Sequence, residues 1–327
     1  MFPGKFMYAG VAVMAAITFF WFLFAGHSLS YLLLLKQVFV SVLFFVTAKI
    51  TSVILFSKRD GKFIHQSSFI DENREKIVIF LEGMFFISVS WIILRIFNHL
   101  TMTAGFAYAD DFLIKMDQLI GLDWQAYFTF VAGQPLLVFA FDHAYTGLTS
   151  LSMVAFIGLI FVNRIKQAQF FFVAFSITAI FCTVVGMFFP AKAAVNQLLL
   201  DTDLMLNFPY PPGVYSVEII DRLRSEGPHF FDLANLPGLT TFPSFHTAAG
   251  IILVYSYRGS ALLYPISLYT AVMIASTPVY GGHYFIDIIA GTIVALVICR
   301  YVENSLSFKG IFKPAATNQL IGSYELR

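Results

Sequence analysis

Charged side chains are scarce in this sequence. Asp, Glu, Lys and Arg make up 12% of the 327 residues, whereas hydrophobic residues make up 58% and include 39 Phe; the mean hydropathy is +0.79. This is far too little polar surface for a soluble globule of this length. The composition therefore predicts an all-α, polytopic membrane bundle. The net charge of +1 gives no indication of nucleic acid as a partner.

Cysteine is also scarce, and internal repeats and low-complexity tracts are lacking. Cys182 and Cys299 both lie in apolar runs, which is typical of small buried hydrophobic residues and argues against a disulfide or a metal site. We therefore expect a single membrane domain, 1–327. Its parts are N-terminal spans with an interfacial segment (1–134), a helical core (135–302) with an extracytoplasmic loop (190–241), and a cytoplasmic tail (303–327).

About eight apolar stretches approach the ~20 residues with which a helix crosses a bilayer. The first has an apolar core longer than the ~7 to 15 residues of a signal peptide, and no small-x-small cleavage site follows it, so we expect a membrane anchor. The predicted spans are 8–25, 31–56, 77–97, 135–162, 169–189, 242–257, 261–279 and 284–301.

Lys and Arg are distributed unevenly between the two sides that these spans define. The side that holds the N-terminus carries 13 of them and the opposite side carries 4. Because cytoplasmic loops retain positive charge during insertion, both termini are predicted to be cytoplasmic. The long connection Pro190–Thr241 then lies on the extracytoplasmic side, and a connection longer than ~15 residues is usually functional or disordered.

Two short stretches on that side each place a histidine where an apolar run begins. They are "TTFPSFHTAAG" (Thr240–Gly250), with His246, and "YGGHYFIDIIAG" (Tyr280–Gly291), with His283. Asp287 follows His283 by four residues, so the two share one face of a helix. The carboxylate can accept a proton from one imidazole nitrogen, which leaves the lone pair of the other nitrogen free to act as a nucleophile or base.

The residues beside the histidines are typical of an anion site. Gly281 and Gly282 precede a helix, and unpaired N–H groups at a helix start suit an anion. Ser244 is a good N-cap that could also donate its hydroxyl to an oxyanion. Lys192 emerges on the same side, where phosphate binding and snorkelling to lipid headgroups have equal weight. A single interfacial histidine is commonly only amphipathic, but the combination of both motifs favours an active site.

"PSFH", followed 37 residues after its histidine by "GGHYFID", resembles the second and third motifs of the type 2 phosphatidic acid phosphatase superfamily. Phe245 and Thr277 stand where that family has glycine and arginine, and "FFPAKAAVN" offers only Lys192 in place of the first motif. These departures resemble the inositol phosphorylceramide synthase branch, whose third motif commonly reads "HHYFVD". "ADDFLIKMDQLIGLDW" (Ala109–Trp124) is similar to an interfacial segment of bacterial members, and we interpret it as an interfacial helix and not as a metal site.

The resemblance implies an integral membrane enzyme, in a bacterial inner membrane, that transfers phosphoryl groups through a phosphohistidine without metal or cofactor. Its partners are a lipid substrate and a small alcohol or water as acceptor, and its site is extracytoplasmic. A phosphatase acting on lipid phosphates or polyprenyl pyrophosphates is the alternative. The implied roles are nucleophile for His283, orienting carboxylate for Asp287, general acid and base for His246, and phosphate binding for Lys192, Ser244, Gly281 and Gly282.

A third hypothesis comes from charged residues inside the predicted spans, where each is costly. Such residues line the pathways of transporters. The sequence has no inverted repeat and no matching pair of broken helices, which transporters often show. The residues concerned are Lys36, Lys49, Glu82, Asp142 and His143.

Overall fold

The computed structural model describes residues 5–59, 62–63, 67–198, 201–305 and 311–312, so most of the predicted cytoplasmic tail lies outside it. Within these residues the chain is almost entirely helical, as predicted. The helices are α1 (Lys5–Phe24), α2 (Tyr31–Phe56), α3 (Ser68–Met102), α4 (Asp110–Leu119), α5 (Trp124–Ala132), α6 (Pro135–Thr146), α7 (Leu148–Phe161), α8 (Ile165–Phe188), α9 (Ala194–Leu198), α10 (Val217–Leu223), α11 (Phe245–Ser256), α12 (Leu263–Tyr280) and α13 (Phe285–Asn304), with a 3₁₀ helix at Thr202–Asn207.

Four two-residue strands complete the described secondary structure. The strand β1 (Ser28–Leu29) pairs in parallel with β4 (Phe230–Phe231), and β2 (Lys58–Arg59) pairs antiparallel with β3 (Lys62–Phe63). The first pair joins the α1–α2 connection to the long segment between α8 and α11.

Each of the eight predicted spans contains helix, but not every helix is built to cross a bilayer alone. Among the described residues, five helices are long and apolar enough, namely α1, α2, α3, α8 and α13, and six if α6 and α7 form one span. The helix α11 has 12 residues, a length of about 18 Å at 1.5 Å per residue, which is shorter than a hydrocarbon core of about 30 Å. The helix α12 contains Pro278 and several hydroxyl side chains and is not among the six.

The fourth predicted span is broken where the sequence indicated one continuous helix. The helices α6 and α7 meet at Gly147 with a bend of 54°. The Tyr269 hydroxyl donates to the Ala144 carbonyl at 2.6 Å, and a Cβ on Gly147 would lie 2.7 Å from that hydroxyl. A side chain that takes a carbonyl out of the helix ladder is a common cause of a kink.

The C-terminal half is a compact bundle in which α11 packs against α8, α12 and α13, with α6 beside α12. Close approach depends on small residues, as is usual between helices in membranes. A Cβ on Gly250 of α11 would lie 2.5 Å from the Met273 side chain of α12, and one on Gly291 of α13 would collide with the Ser244 carbonyl oxygen. The start of α11 therefore lies directly against the first turns of α13.

The N-terminal helices α1–α3 form a group at the side of this bundle, with many large apolar side chains exposed on α1 and α2. The last turns of α3 hold the segment that leads into α11. Asn98 donates to the Thr240 hydroxyl at 2.7 Å and accepts from the Leu239 N–H at 2.8 Å, and the His99 ring bonds the Pro237 carbonyl at 2.9 Å. We use "active-site end" for this end of the bundle, where α3 and α8 end and α11 and α13 begin.

Candidate active site

His283 and Asp287 meet at the start of α13, as their spacing predicted. The His283 Nδ1 and the Asp287 Oδ2 are 3.2 Å apart. The exposed fraction of the residue is 3% for His283 and 0% for Asp287, so the pair lies in a largely dry environment. A carboxylate in this position fixes the tautomer that has its proton on Nδ1, and the Nε2 lone pair then faces away from Asp287.

Ser244 approaches the other nitrogen of the same ring. Its hydroxyl oxygen lies 3.3 Å from the His283 Nε2 and also accepts the Thr247 N–H at 3.3 Å, as the N-cap of α11. The capping role and a contact within the site are thus both present, as the sequence allowed. The hydroxyl lies beside the nitrogen lone pair, where it can donate to an oxygen of a group that reacts with Nε2.

The two motifs are joined through their backbones. The Ser244 N–H donates to the Asp287 carbonyl at 3.0 Å, and the absence of a side chain at Gly291 lets the Ser244 carbonyl lie against α13. This close approach fixes the Ser244 hydroxyl relative to the His283 ring. A rigid contact of this kind is what a site needs to hold reacting groups within a fraction of an ångström.

His246 lies in the first turn of α11 and is half-buried. Its ring stacks on Tyr145 of α6, with centroids 4.2 Å apart and an angle of 12° between the planes. A Cβ on Gly281 would lie 2.9 Å from the Tyr145 hydroxyl and 2.5 Å from the His283 ring. Tyr145 therefore contacts one histidine and lies beside the glycine turn that precedes the other, a position that no motif in the sequence indicated.

The glycine turn differs from the prediction of free N–H groups at the start of α13. The Gly281 N–H donates to the Thr277 carbonyl at 3.0 Å, and the Gly282 carbonyl accepts the Ala194 N–H at 2.7 Å. Gly282 has φ +63°, and a Cβ there would lie 2.6 Å from that of Ala193. Both glycines are needed for close packing, and within the described residues only the Gly282 N–H of the two has no hydrogen bond.

Asp117 of α4 occupies the helix start that was predicted to bind an anion. Its two carboxylate oxygens accept the Phe285 and Ile286 N–H groups, each at 2.8 Å, while the Tyr284 N–H donates to Asp287 at 3.0 Å. Asp117 is 3% exposed, and burial raises its pKa although the two N–H donors act in the opposite direction. The chain's own carboxylates therefore satisfy the first N–H groups of α13.

Asp110, two helical turns before Asp117, joins three segments of the site. Its carboxylate accepts the Lys192 N–H at 3.1 Å and the Tyr284 hydroxyl at 2.8 Å, and burial raises its pKa. The sequence interpretation treated this run only as an interfacial helix. The sequence did contain a pattern that could have indicated more, because the spacing of Asp110, Leu113 and Asp117 places three side chains on one face of a helix. All three are buried in the structure.

Lys192 directly precedes Ala193 and Ala194, which contact the glycine turn, but its ammonium is paired elsewhere. The Lys192 Nζ is 2.6 Å from the Asp221 Oδ1 and 5.0 Å from the centre of the Tyr108 ring. The Arg224 guanidinium lies over that same ring at 4.1 Å. The Lys192 ammonium and the Arg224 guanidinium thus both lie beside Tyr108, and Asp221 pairs with Lys192.

Thr277 stands where the family that the sequence resembles has arginine, and it is fully buried. Its hydroxyl donates to the Ile274 carbonyl at 2.8 Å, and its own carbonyl accepts the Gly281 N–H and, at 3.3 Å, the His283 N–H. Thr277 therefore shapes the turn that presents His283. It supplies no charge to the site.

The centre of the predicted loop Pro190–Thr241 packs over this turn. Gly213, with φ +73°, has no room for a Cβ, which would lie 3.0 Å from the Gly282 Cα. The Tyr215 hydroxyl is 3.3 Å from that of Tyr145, and the Tyr210 hydroxyl donates to Asp142. The stretch "NFPYPPGVY" (Asn207–Tyr215) thereby covers the side of the site formed by the glycine turn and α6.

The charges inside the spans do not converge on a pathway. Lys49 pairs with Glu82 at 3.2 Å, Asp142 accepts from Tyr210, and the His143 Nδ1 bonds the Phe139 carbonyl of its own helix at 2.9 Å. These four residues are satisfied within the bundle or at its end, whereas Lys36 pairs with no carboxylate among the described residues. Their arrangement does not favour the transporter hypothesis.

Residues 111–301, more than half of the chain, match the family model of the PAP2 superfamily. No curated protein and no solved structure matches the chain significantly. The matched region contains both histidine motifs, Asp117 and the covering loop. It begins one residue after Asp110.

Proposed function

The chain belongs to the PAP2 superfamily, the phosphatase-type enzymes that act by phosphoryl transfer, and we propose that it is a lipid head-group phosphotransferase working through a phosphohistidine on His283. The observation that carries this proposal is the arrangement around one imidazole ring. Asp287 bonds its Nδ1 and Ser244 lies at its Nε2, at 3.2 Å and 3.3 Å.

In the first step the His283 Nε2 attacks phosphorus and forms an N–P bond, while the bond from phosphorus to the leaving lipid oxygen breaks. Asp287 stabilises the positive charge that develops on the ring. The Ser244 hydroxyl turns from Nε2 to a phosphoryl oxygen, where a neutral donor stabilises the charge of the transition state. His246 gives its proton to the leaving oxygen, so that no alkoxide has to be expelled.

In the second step an acceptor O–H attacks the same phosphorus and the N–P bond breaks. His246, now neutral, takes the proton of the acceptor, which restores the starting state of both histidines. Stacking on Tyr145 at 4.2 Å holds the His246 ring in one plane, a form of positioning on which phosphoryl transfer largely depends.

Charge favours a phosphodiester as substrate. The ammonium of Lys192 is already paired with Asp221, and Thr277 contributes no charge, so the site offers little net positive potential. A phosphodiester carries one negative charge, whereas a phosphomonoester carries nearly two at neutral pH. A site with few free cations is better suited to the diester and hence to transfer of a head group.

Exclusion of water favours an alcohol as acceptor. The stretch Asn207–Tyr215 lies over the glycine turn, and a covered site limits hydrolysis of a reactive intermediate. Hydrolysis by water remains the alternative, which gives a lipid phosphate or polyprenyl pyrophosphate phosphatase.

The mechanism is tested by trapping the intermediate. We expect His283→Ala to abolish turnover and Asp287→Asn to lower it severely, with an acid-labile phosphoenzyme accumulating in His246→Ala when acceptor deprotonation limits turnover. His143→Ala is the matched control, because that exposed histidine bonds only its own helix. Full activity of His283→Ala would refute the proposal.

The product distinguishes transferase from phosphatase. Purified enzyme is offered a phosphodiester lipid with and without candidate alcohols, and a phosphomonoester lipid in parallel. Alcohol-dependent formation of a new phosphodiester supports the transferase. Steady release of inorganic phosphate from the phosphomonoester, without any alcohol-dependent product, would identify a phosphatase.

A further inference from the structure

A second site lies at the active-site end, between α2, α3 and the segment that leads to α11. It is a cleft of about 220 Å³, and its lining includes Lys36 of α2, Arg95 of α3 and the backbone near Leu236. The lining contains no carboxylate. The cleft therefore has positive charge on two sides and no negative charge of its own.

Neither cation is neutralised within the described residues. No carboxylate lies within 4.0 Å of Lys36 or Arg95 in that part of the chain. Arg95 donates from Nε to the Leu236 carbonyl at 2.6 Å and stacks over Trp91 at 5.3 Å, which fixes its plane. Arg95 lines the cleft, and its two terminal nitrogens remain as donors in the fork geometry that matches a phosphate.

The position along the helices agrees with the depth of lipid headgroups. Lys36 is five residues into α2, about 7.5 Å from its start, and Arg95 is seven residues from the end of α3, about 10.5 Å, at 1.5 Å per residue. Cations near helix ends reach the interface in this way. At that depth the anion that is available to two unpaired cations is a lipid phosphate.

An apolar cavity of about 380 Å³ adjoins the cleft among α1, α2 and α3. Gln37 and Ile92 line both spaces, so the two are adjacent. Ligand pockets of about 300 to 1,000 Å³ are typical of small-molecule sites. Apart from Thr18, Gln37 and Ser41, the wall is apolar, which suits a hydrocarbon chain and not a polar solute.

We propose that the cleft and the cavity together bind one anionic phospholipid, with its phosphate between Lys36 and Arg95 and an acyl chain among α1–α3. This site is separate from the His283 centre. It adjoins the segment 233–240, which α3 holds through Asn98 and His99 and which continues into Ser244. A lipid bound here stabilises the contact between the N-terminal helices and the entry to α11.

The test uses the full-length protein purified in detergent, with phosphatidylglycerol, phosphatidylcholine of the same acyl chains, and inorganic phosphate as probes. Retained lipid is counted by native mass spectrometry, and protection is read from the thermal unfolding midpoint. We expect preferential retention of phosphatidylglycerol by the wild type. Retention should fall about tenfold or more in Lys36→Gln/Arg95→Gln, because each cation contributes a charged contact to the headgroup. Lys115→Gln, which removes an exposed cation from α4, is the matched control and should retain the lipid.

His283→Ala separates this site from the catalytic centre and from the proposed reaction, and it should retain phosphatidylglycerol as the wild type does. Since Arg95 also holds Leu236, Lys36→Gln alone serves as the variant that keeps this backbone contact. Unchanged retention in folded Lys36→Gln/Arg95→Gln or Lys36→Gln, or loss in His283→Ala, would overturn the proposal. Equal protection by inorganic phosphate, or equal retention of phosphatidylcholine, would also overturn it, because the site would then not select an anionic lipid.

Discussion

Asp117 offers the sharpest test of how the site is held, because it touches neither histidine. It accepts two N–H groups of α13 at 2.8 Å each and is 3% exposed. Asp117→Ala removes both acceptors. Leaving a buried donor without a partner costs about 1 to 3 kcal/mol, so the free energy of unfolding should fall by about 2 to 6 kcal/mol, toward the lower value if water enters the gap.

The effect on turnover follows from the position of Asp117. The two N–H groups belong to the residues between His283 and Asp287, and their release lets the first turn of α13 shift. A misplacement of about 1 Å can reduce a rate about a hundredfold, so we expect kcat to fall about tenfold to a hundredfold in Asp117→Ala. The KM should change little, because Asp117 makes no contact with the space beside Nε2.

The assay compares kcat, KM and the unfolding midpoint for Asp117→Ala, Asp117→Asn and Asp111→Ala in the same detergent. Asp111 is the neighbouring carboxylate on the exposed side of α4 and should be silent in all three measurements. Asp117→Asn keeps one carbonyl oxygen as an acceptor and should lose less activity than the alanine variant. Wild-type kcat in Asp117→Ala, or an equal loss in Asp111→Ala, would refute the positioning role.

Three further predictions test packing, metal dependence and topology. Gly291→Ala places a methyl group against the Ser244 carbonyl, so it should lower the free energy of unfolding by about 1 to 3 kcal/mol and remove most of the activity. Gly238→Ala, at a position with open space around it, should change neither the unfolding free energy nor the activity. Activity should survive EDTA; loss in EDTA that a divalent ion restores would contradict a metal-independent mechanism. Externally added protease should cut a tag inserted near Asp203 and spare one at Arg327, and the reverse pattern would invert the predicted orientation.

The sequence was sufficient to predict the helical membrane fold and the meeting of His283 with Asp287. Both depend on short-range rules, since composition determines the solvent of the chain and a spacing of four residues determines one helix face. The approach of Ser244 to the same ring could be expected only because the two histidine motifs resemble two motifs of a known superfamily. Nothing in the spacing of 37 residues specifies a distance of 3.3 Å.

The parts that were not predicted depend on tertiary contacts. The partners of Asp110, Asp117 and Tyr145 in the site are between about 70 and 175 residues away in sequence. The bend at Gly147 has the same origin, because the hydroxyl that takes the Ala144 carbonyl comes from Tyr269 on α12. Local patterns indicated that these residues are polar or helical, but not which groups they would meet.

The acidic surroundings of His283 and Asp287 bear on the proposed substrate. Asp110, Asp117 and Asp287 are each at most 4% exposed, and all lie about the first turn of α13. The ammonium of Lys192, whose backbone N–H bonds Asp110, is paired with Asp221. A second negative charge on the substrate would be repelled by these groups without a paired arginine to offset it. The repulsion is weaker for a substrate with one negative charge, for which we propose the Ser244 hydroxyl and the Gly282 N–H as neutral donors. The carboxylates that hold α13 in place therefore support the proposal that the substrate is a phosphodiester and not a phosphomonoester.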